Sequence, residues 1–119
     1  MFYYINMICS NCKIEAPEHE ESWLKAGNVD LEWYGKTTVY KGEGCDKCGG
    51  SGYKGRAGLY EVMLATPAIR KAIMAEVGTD DLLEVALSEG MLTLRMDGYK
   101  KVDRGTTSLE EVVKETTTD

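Results

Sequence analysis

The sequence predicts an α+β fold: a small β-containing lobe over residues 1–64, stapled by four cysteines, then a bundle of about four short helices over residues 65–119. Three observations carry that prediction. Seven of the thirteen glycines fall between Gly42 and Gly58, among short runs of β-forming residues. After residue 65 the apolar residues recur at helical spacing between recognisable caps. All four cysteines lie in the first half, as two C-x2-C pairs.

Phe2 to Met7 predicts a short strand leading into Cys9. Pro17 to Ala26 predicts a helix with Pro in its first turn and Gly27 as its stop. The acidic run Glu15, Glu18, Glu20, Glu21 fits the start of that helix, where the macrodipole favours negative charge. Trp33 to Lys41, with Thr37, Thr38, Val39 and Tyr40, predicts a strand. Its antiparallel partner is expected at Arg56 to Leu64, with Leu59 and Glu61 on one face and Tyr60 and Val62 on the other.

In the second half, Thr66-Pro67 is an N-cap followed by Pro at the first helical position. Ile69, Ile73 and Val77 then form one apolar face, and Gly78 ends the helix. Thr79 caps the next helix, whose stripe is Leu82, Leu83, Ala86 and Leu87 and whose stop is Gly90. Leu92, Met96, Tyr99 and Val102 mark a third, ended near Gly105. Ser108 to Glu111 matches the capping box of a fourth, with Leu109, Val112 and Val113 as its buried face. Thr116-Thr117-Thr118 is expected to fray.

Composition excludes several classes. Apolar residues make up 43% of the chain, too many for a compositionally disordered protein. The apolar stretch Met1 to Ile8 is interrupted by Asn6, too short to span a membrane, and without the basic start of a signal peptide. A cytoplasmic protein without direct membrane insertion is expected. Twenty acidic against fourteen basic residues give a net charge of −6, so nucleic acid is not an expected partner.

The cysteines are the strongest signal. Cys9 and Cys12 form one C-x2-C knuckle, and Cys45 and Cys48 form another thirty-two residues later. Each knuckle puts two sulfurs on one tight turn, and two knuckles complete the closed tetrahedral shell of a structural Zn2+. Gly49 and Gly50 after the second pair allow a left-handed turn that aims N–H groups at the thiolates. Lys13, Lys47, Lys54 and Arg56 lie near in sequence and would offset the net negative charge of four thiolates on one Zn2+. Disulfides fit the even count but not the expected reducing compartment. A thioredoxin-like redox site needs one C-x-x-C beside a βαβ pattern, and this chain has two motifs and no such pattern. Iron accepts the same ligands. With all four positions filled by cysteine, the metal would have no open site for substrate or activated water.

Other motifs fail their context. Gly50 to Gly55 matches G-x-G-x-x-G but neither follows a clear strand nor opens a helix. Arg56-Ala57 stands where a P-loop needs Lys-Ser/Thr, so no ATP or Mg2+ site is expected. His19 is expected to face solvent, without a nucleophile partner. No catalytic constellation is present, and the chain alone is not expected to be an enzyme.

The run from Cys45 through Gly49-Gly50-Ser51-Gly52-Tyr53-Lys54-Gly55-Arg56-Ala57-Gly58-Leu59-Tyr60-Glu61-Val62 closely resembles the C-terminal part of the type II secretion and type IV pilus assembly ATPases. The resemblance continues through Gly90-Met91-Leu92-Thr93-Leu94-Arg95-Met96-Asp97-Gly98, Lys101-Val102, Gly105-Thr106-Thr107 and Glu110-Glu111-Val112, and the Cys9–Cys12 pair stands where that family has its first cysteines. It weakens ahead of Cys9, where Phe2-Tyr3-Tyr4-Ile5-Asn6 replaces a basic stretch, and between Glu15 and Lys41.

The resemblance implies a zinc-binding region following the RecA-like core of a cytoplasmic hexameric ATPase, peripheral to the inner membrane. The expected partners are the ATPase core of the same polypeptide, neighbouring subunits and inner-membrane secretion or pilus platform proteins. ATP and Mg2+ would belong to the upstream core, and this region would serve assembly or docking. Arg56, Tyr60 and Glu61 are expected to join the second knuckle to the helices. A free-standing cytoplasmic zinc adaptor for protein–protein interaction is the competing reading. The similarity of Cys45-x-x-Cys48-x-Gly50-x-Gly52 to the repeated zinc motif of J-domain chaperones is weaker, since only one knuckle carries the glycines.

Overall fold

The computed structural model describes residues 2–61 and 65–116. In chain order the elements are strands β1 (Phe2–Ile8) and β2 (Lys13–Glu15), helices α1 (Glu21–Ala26) and α2 (Leu31–Tyr34), strand β3 (Tyr40–Gly42), a 3-10 turn at Asp46–Cys48 and strand β4 (Tyr53–Tyr60). Helices α3 (Pro67–Met74), α4 (Thr79–Ser88), α5 (Leu94–Asp103) and α6 (Leu109–Thr116) follow. The fold is α+β, as the sequence predicts. The expected strand end at Val62 to Leu64 and the expected fraying of Thr117 and Thr118 lie outside the described residues.

Strand pairing departs from expectation. β4 pairs antiparallel with β1, in the register Tyr3–Leu59, Ile5–Ala57 and Asn6–Arg56, and not with the 33–41 segment. That segment is not a single strand. The Asp30 carboxylate accepts the Glu32 and Trp33 N–H groups at 3.0 and 3.2 Å, which starts α2 where β-propensity alone favours extension. Only Tyr40–Gly42 remains as strand, paired with β2. β1 wins the pairing because Ile5 and Leu59 meet on one face and bury against Leu94 of α5.

The first helix also starts later than predicted. α1 begins at Glu21 rather than Pro17, and Glu20 precedes it in extended backbone without a side-chain cap. His19 does not face solvent. Its ring stacks on Trp23 at 4.6 Å between centroids, approaches the Tyr34 hydroxyl and pairs with the Glu110 carboxylate.

The larger buried cluster joins Leu24, Val29 and Val39 to Val102, Leu109 and Val112, with Trp33, Tyr34 and Tyr99 packed around it. Val102, Leu109 and Val112 are fully buried, each worth roughly 1.5–3 kcal/mol of transfer free energy. Both this cluster and the Ile5–Leu59–Leu94 cluster combine residues from either side of residue 64. α5 buries Leu94, Gly98 and Val102, so of the predicted Leu92, Met96, Tyr99 and Val102 only Val102 is fully buried. Met96 is left exposed.

α3 and α4 pack on each other, with Ile69, Ala72 and Ala86 buried there. The Thr66 hydroxyl caps α3 by accepting the Ile69 N–H at 3.3 Å. α3 stops at its C-cap Ala75, three residues before the predicted stop at Gly78, and Glu76 follows in left-handed backbone. Ile73 and Val77 are exposed, so the predicted face is buried only at Ile69. At the base of this hairpin the chain closes on itself. The Glu61 carboxylate accepts the Leu94 N–H at 3.2 Å, and the Tyr60 N–H donates to Asp97 at 3.0 Å.

Candidate metal centre

The four cysteines meet. Their sulfurs all lie within 4.8 Å of one another. Cys9–Cys45, Cys12–Cys48 and Cys45–Cys48 are separated by 3.8, 3.9 and 3.7 Å. These are not disulfides, whose sulfurs bond at about 2.05 Å, and all four thiols are free. A metal–thiolate bond of about 2.3 Å places the corners of a regular tetrahedron about 3.8 Å apart. The donor set therefore fits a tetrahedral thiophilic ion, and the four cysteines could hold one.

Local structure explains the convergence. In the first knuckle, the Cys12 N–H donates to the Cys9 carbonyl at 3.3 Å. In the second, the Cys48 N–H donates to the Cys45 carbonyl at 3.3 Å and the Gly50 N–H to the same oxygen at 2.9 Å. Gly49 and Gly50 take φ of 69° and 87°, the left-handed turn expected of them. Gly52 joins the knuckles: its carbonyl accepts the Cys9 N–H at 2.9 Å and its N–H donates to the Cys48 sulfur at 3.2 Å. Cys9 is 2% exposed, whereas the other three are half-buried.

The sulfurs receive donors that the sequence reading missed. Besides Gly52, the Cys45 N–H donates to Cys48 at 3.2 Å, the Gly44 N–H to Cys12 at 3.3 Å and the Asn11 side-chain amide to Cys45 at 3.2 Å. Asn11 lies inside the first C-x2-C, so its short amide-bearing side chain was the available signal. Two of the expected cations turn elsewhere: Lys13 donates to the Gly105 carbonyl at 3.2 Å, and Arg56 sits 5.3 Å from the centre of the Tyr4 ring.

Thiol acidities follow these donors. At Cys48 burial favours the thiol, but N–H donors from Cys45 and Gly52 outweigh it and bring the pKa down to about 6. The Asn11 amide lowers Cys45 against the effect of burial. At Cys12 burial, reinforced by the neighbouring thiols, pushes the pKa up to about 11 despite the Gly44 N–H.

Of the residues expected to join the second knuckle to the helices, Tyr60 and Glu61 do reach α5, while Arg56 stacks within the β1–β4 ribbon. Among the described residues, the cysteine cluster is the one grouping of potential metal ligands, and no helix is long and apolar enough to cross a membrane.

Fold and site together define a small α+β domain built around a four-thiol cluster that could hold a metal ion. Residues 4–114 match the sequence model of the type II/IV secretion system proteins, and the chain belongs to that family. It is 39% identical over 112 residues to the type IV pilus assembly ATPase PilB of Thermus thermophilus, covering 94% of this chain and 12% of that protein. It is 42% identical over 105 residues to PilB of Pseudomonas aeruginosa, covering 88% of this chain and 18% of the relative. Identity to the type II secretion system protein E of Aeromonas hydrophila is 32% over 115 residues, 97% of this chain and 22% of the relative. The chain thus spans between 12% and 22% of the length of these three curated relatives.

Proposed function

We propose that this chain is the structural zinc-binding region of a type II secretion or type IV pilus assembly ATPase, with an assembly or docking role and no ATP site of its own. Cys9, Cys12, Cys45 and Cys48 hold one Zn2+. The observation that carries this reading is that three of the six sulfur–sulfur separations are 3.7–3.9 Å, the edge length of a zinc–thiolate tetrahedron, with all four sulfurs within 4.8 Å of one another.

Four thiolates saturate the ion, so its work is mechanical: it closes the chain between Cys12 and Cys45 and fixes two tight turns, the second of them glycine-rich. Such a site can contribute on the order of 10 kcal/mol to folding. ATP and Mg2+ belong to an upstream core of the parent polypeptide. The chain's partners are that core, neighbouring subunits of a hexamer and inner-membrane platform proteins, on the cytoplasmic side. The relatives' names as ATPases of pilus assembly and type II secretion support this placement.

Elemental analysis of the purified chain tests the reading, together with unfolding curves before and after chelation. One zinc per chain and a large loss of stability on chelation are expected. A native chain that contains no metal and ignores the chelator overturns it.

A further inference from the structure

Three segments flanking the cysteines converge on one stretch of the helical sequence, residues 105–111. Before Cys9, the edge of β1 turned away from β4 is covered by this stretch. The Ile8 N–H donates to the Thr106 carbonyl at 2.9 Å, the Thr107 hydroxyl to the Asn6 carbonyl at 2.7 Å, and the Asn6 N–H to the Glu111 carboxylate at 3.0 Å. After Cys12, Lys13 reaches the Gly105 carbonyl at 3.2 Å. After Cys48, the Tyr53 hydroxyl and the Ser108 hydroxyl share a 2.7 Å hydrogen bond, and Ser108 also accepts the Glu111 N–H at 3.3 Å.

Thr107 and Ser108 are fully buried and Glu111 is 6% exposed. Buried polar groups are stable only while their partners stay in place, because an orphaned group loses both its bond and its water. The partners here lie on the strands that lead into and out of the cysteine turns. Among the described residues, no side chain of α3 or α4 belongs to either buried cluster joining the lobe to α5 and α6.

We propose that metal occupancy of the cysteine site controls the seating of residues 105–111 and of α6, so that the metal, the strands, α5 and α6 form one cooperative unit from which the α3–α4 hairpin is excluded. This rests on the metal reading above. Linkage makes the coupling reciprocal: groups that seat α6 also retain the metal. Tyr53 and Ser108, which contact no sulfur, are positioning residues for the centre.

Hydrogen exchange of the intact metal-loaded chain, before and after chelation and with metal content measured, reads the unit directly. Amides of residues 105–116 should lose protection together with those of 2–15 and 40–60, while residues 67–88 keep theirs. Retained protection at 105–116 in a chain stripped of metal it had bound overturns the coupling and leaves the metal reading standing. A chain that never held metal overturns both. In the loaded chain, Tyr53→Phe should speed chelator-driven metal release about fivefold, the worth of one net hydrogen bond. Ser108→Ala should do the same, and the double variant should be no faster than the quicker single. Release at the unsubstituted rate in both variants overturns the positioning role.

Discussion

Gly42 and Gly52 cross backbone against backbone: a Cβ on Gly42 would lie 2.1 Å from the Gly52 carbonyl oxygen and 2.6 Å from its Cα. This crossing brings the end of β3, which leads into the second knuckle, onto the turn that leaves the same knuckle. Gly52 also holds φ of +83°, so it is fixed by both conformation and contact.

Gly42→Ala should therefore force open the base of the second knuckle. The obstacle is main chain and cannot rotate away, so a loss of about 3 kcal/mol is expected, at the upper end for overpacking. Gly49→Ala adds a Cβ with nothing within 4 Å, but at φ of +69°, and should cost about 1–2 kcal/mol from conformation alone. Denaturation midpoints of the metal-loaded variants separate the two, and equal losses would show that the crossing is not the constraint.

Gly98 marks a second close approach. A Cβ there would lie 2.5 Å from Cγ1 of Val112, where α5 crosses α6. Gly98→Ala should destabilise by about 1–3 kcal/mol. Because Val112 is a side chain, Val112→Ala should return part of that loss, giving a non-additive double-mutant cycle. Strict additivity would place the strain elsewhere.

Asp30 decides helix over strand at Trp33. Asp30→Ala should cost about 1 kcal/mol, the usual worth of an N-cap. It should also disturb the stacking of Trp33 on Tyr99, whose ring centres are 4.0 Å apart. Thermal unfolding gives the first quantity, and near-ultraviolet circular dichroism reports the second. An unchanged aromatic spectrum with unchanged stability would remove the cap from the account.

Tyr53 gives an alkaline signature. Burial raises its pKa above the ordinary value of 10.0, only partly opposed by the Ser108 hydrogen bond. A folded-state pKa above the unfolded one contributes stability that is present below pH 10 and is lost as pH rises through the folded value. Tyrosinate absorbance should show a phenol ionising above pH 10.0, and Tyr53→Phe should remove that late step. Ionisation of Tyr53 at its ordinary value would contradict its burial.

The sequence carried the local features well. C-x2-C spacing, the Thr66-Pro67 start of α3, the left-handed Gly49-Gly50 turn and the Ser108 cap were legible because each is decided within four residues. Even there Glu111 departs from the capping box, since its carboxylate serves Asn6, 105 positions away. What stayed hidden was long-range choice. Residues 33–41 and 2–8 are comparably β-prone, and nothing local says that Ile5, Leu59 and Leu94 will meet. Likewise Ile73 and Met96 have helical spacing yet lie outside the core, because burial depends on which neighbour each helix face meets.

The closure at Glu61–Leu94 and Tyr60–Asp97 gives the α3–α4 excursion the plan of a graft. Its entry and exit are tied at the stem, so lengthening or exchanging the outgrowth leaves the register of the trunk intact. Descendants of this sequence could vary that appendage freely and acquire new attachments there, while the stem and the thiol-lined root stay under tight constraint.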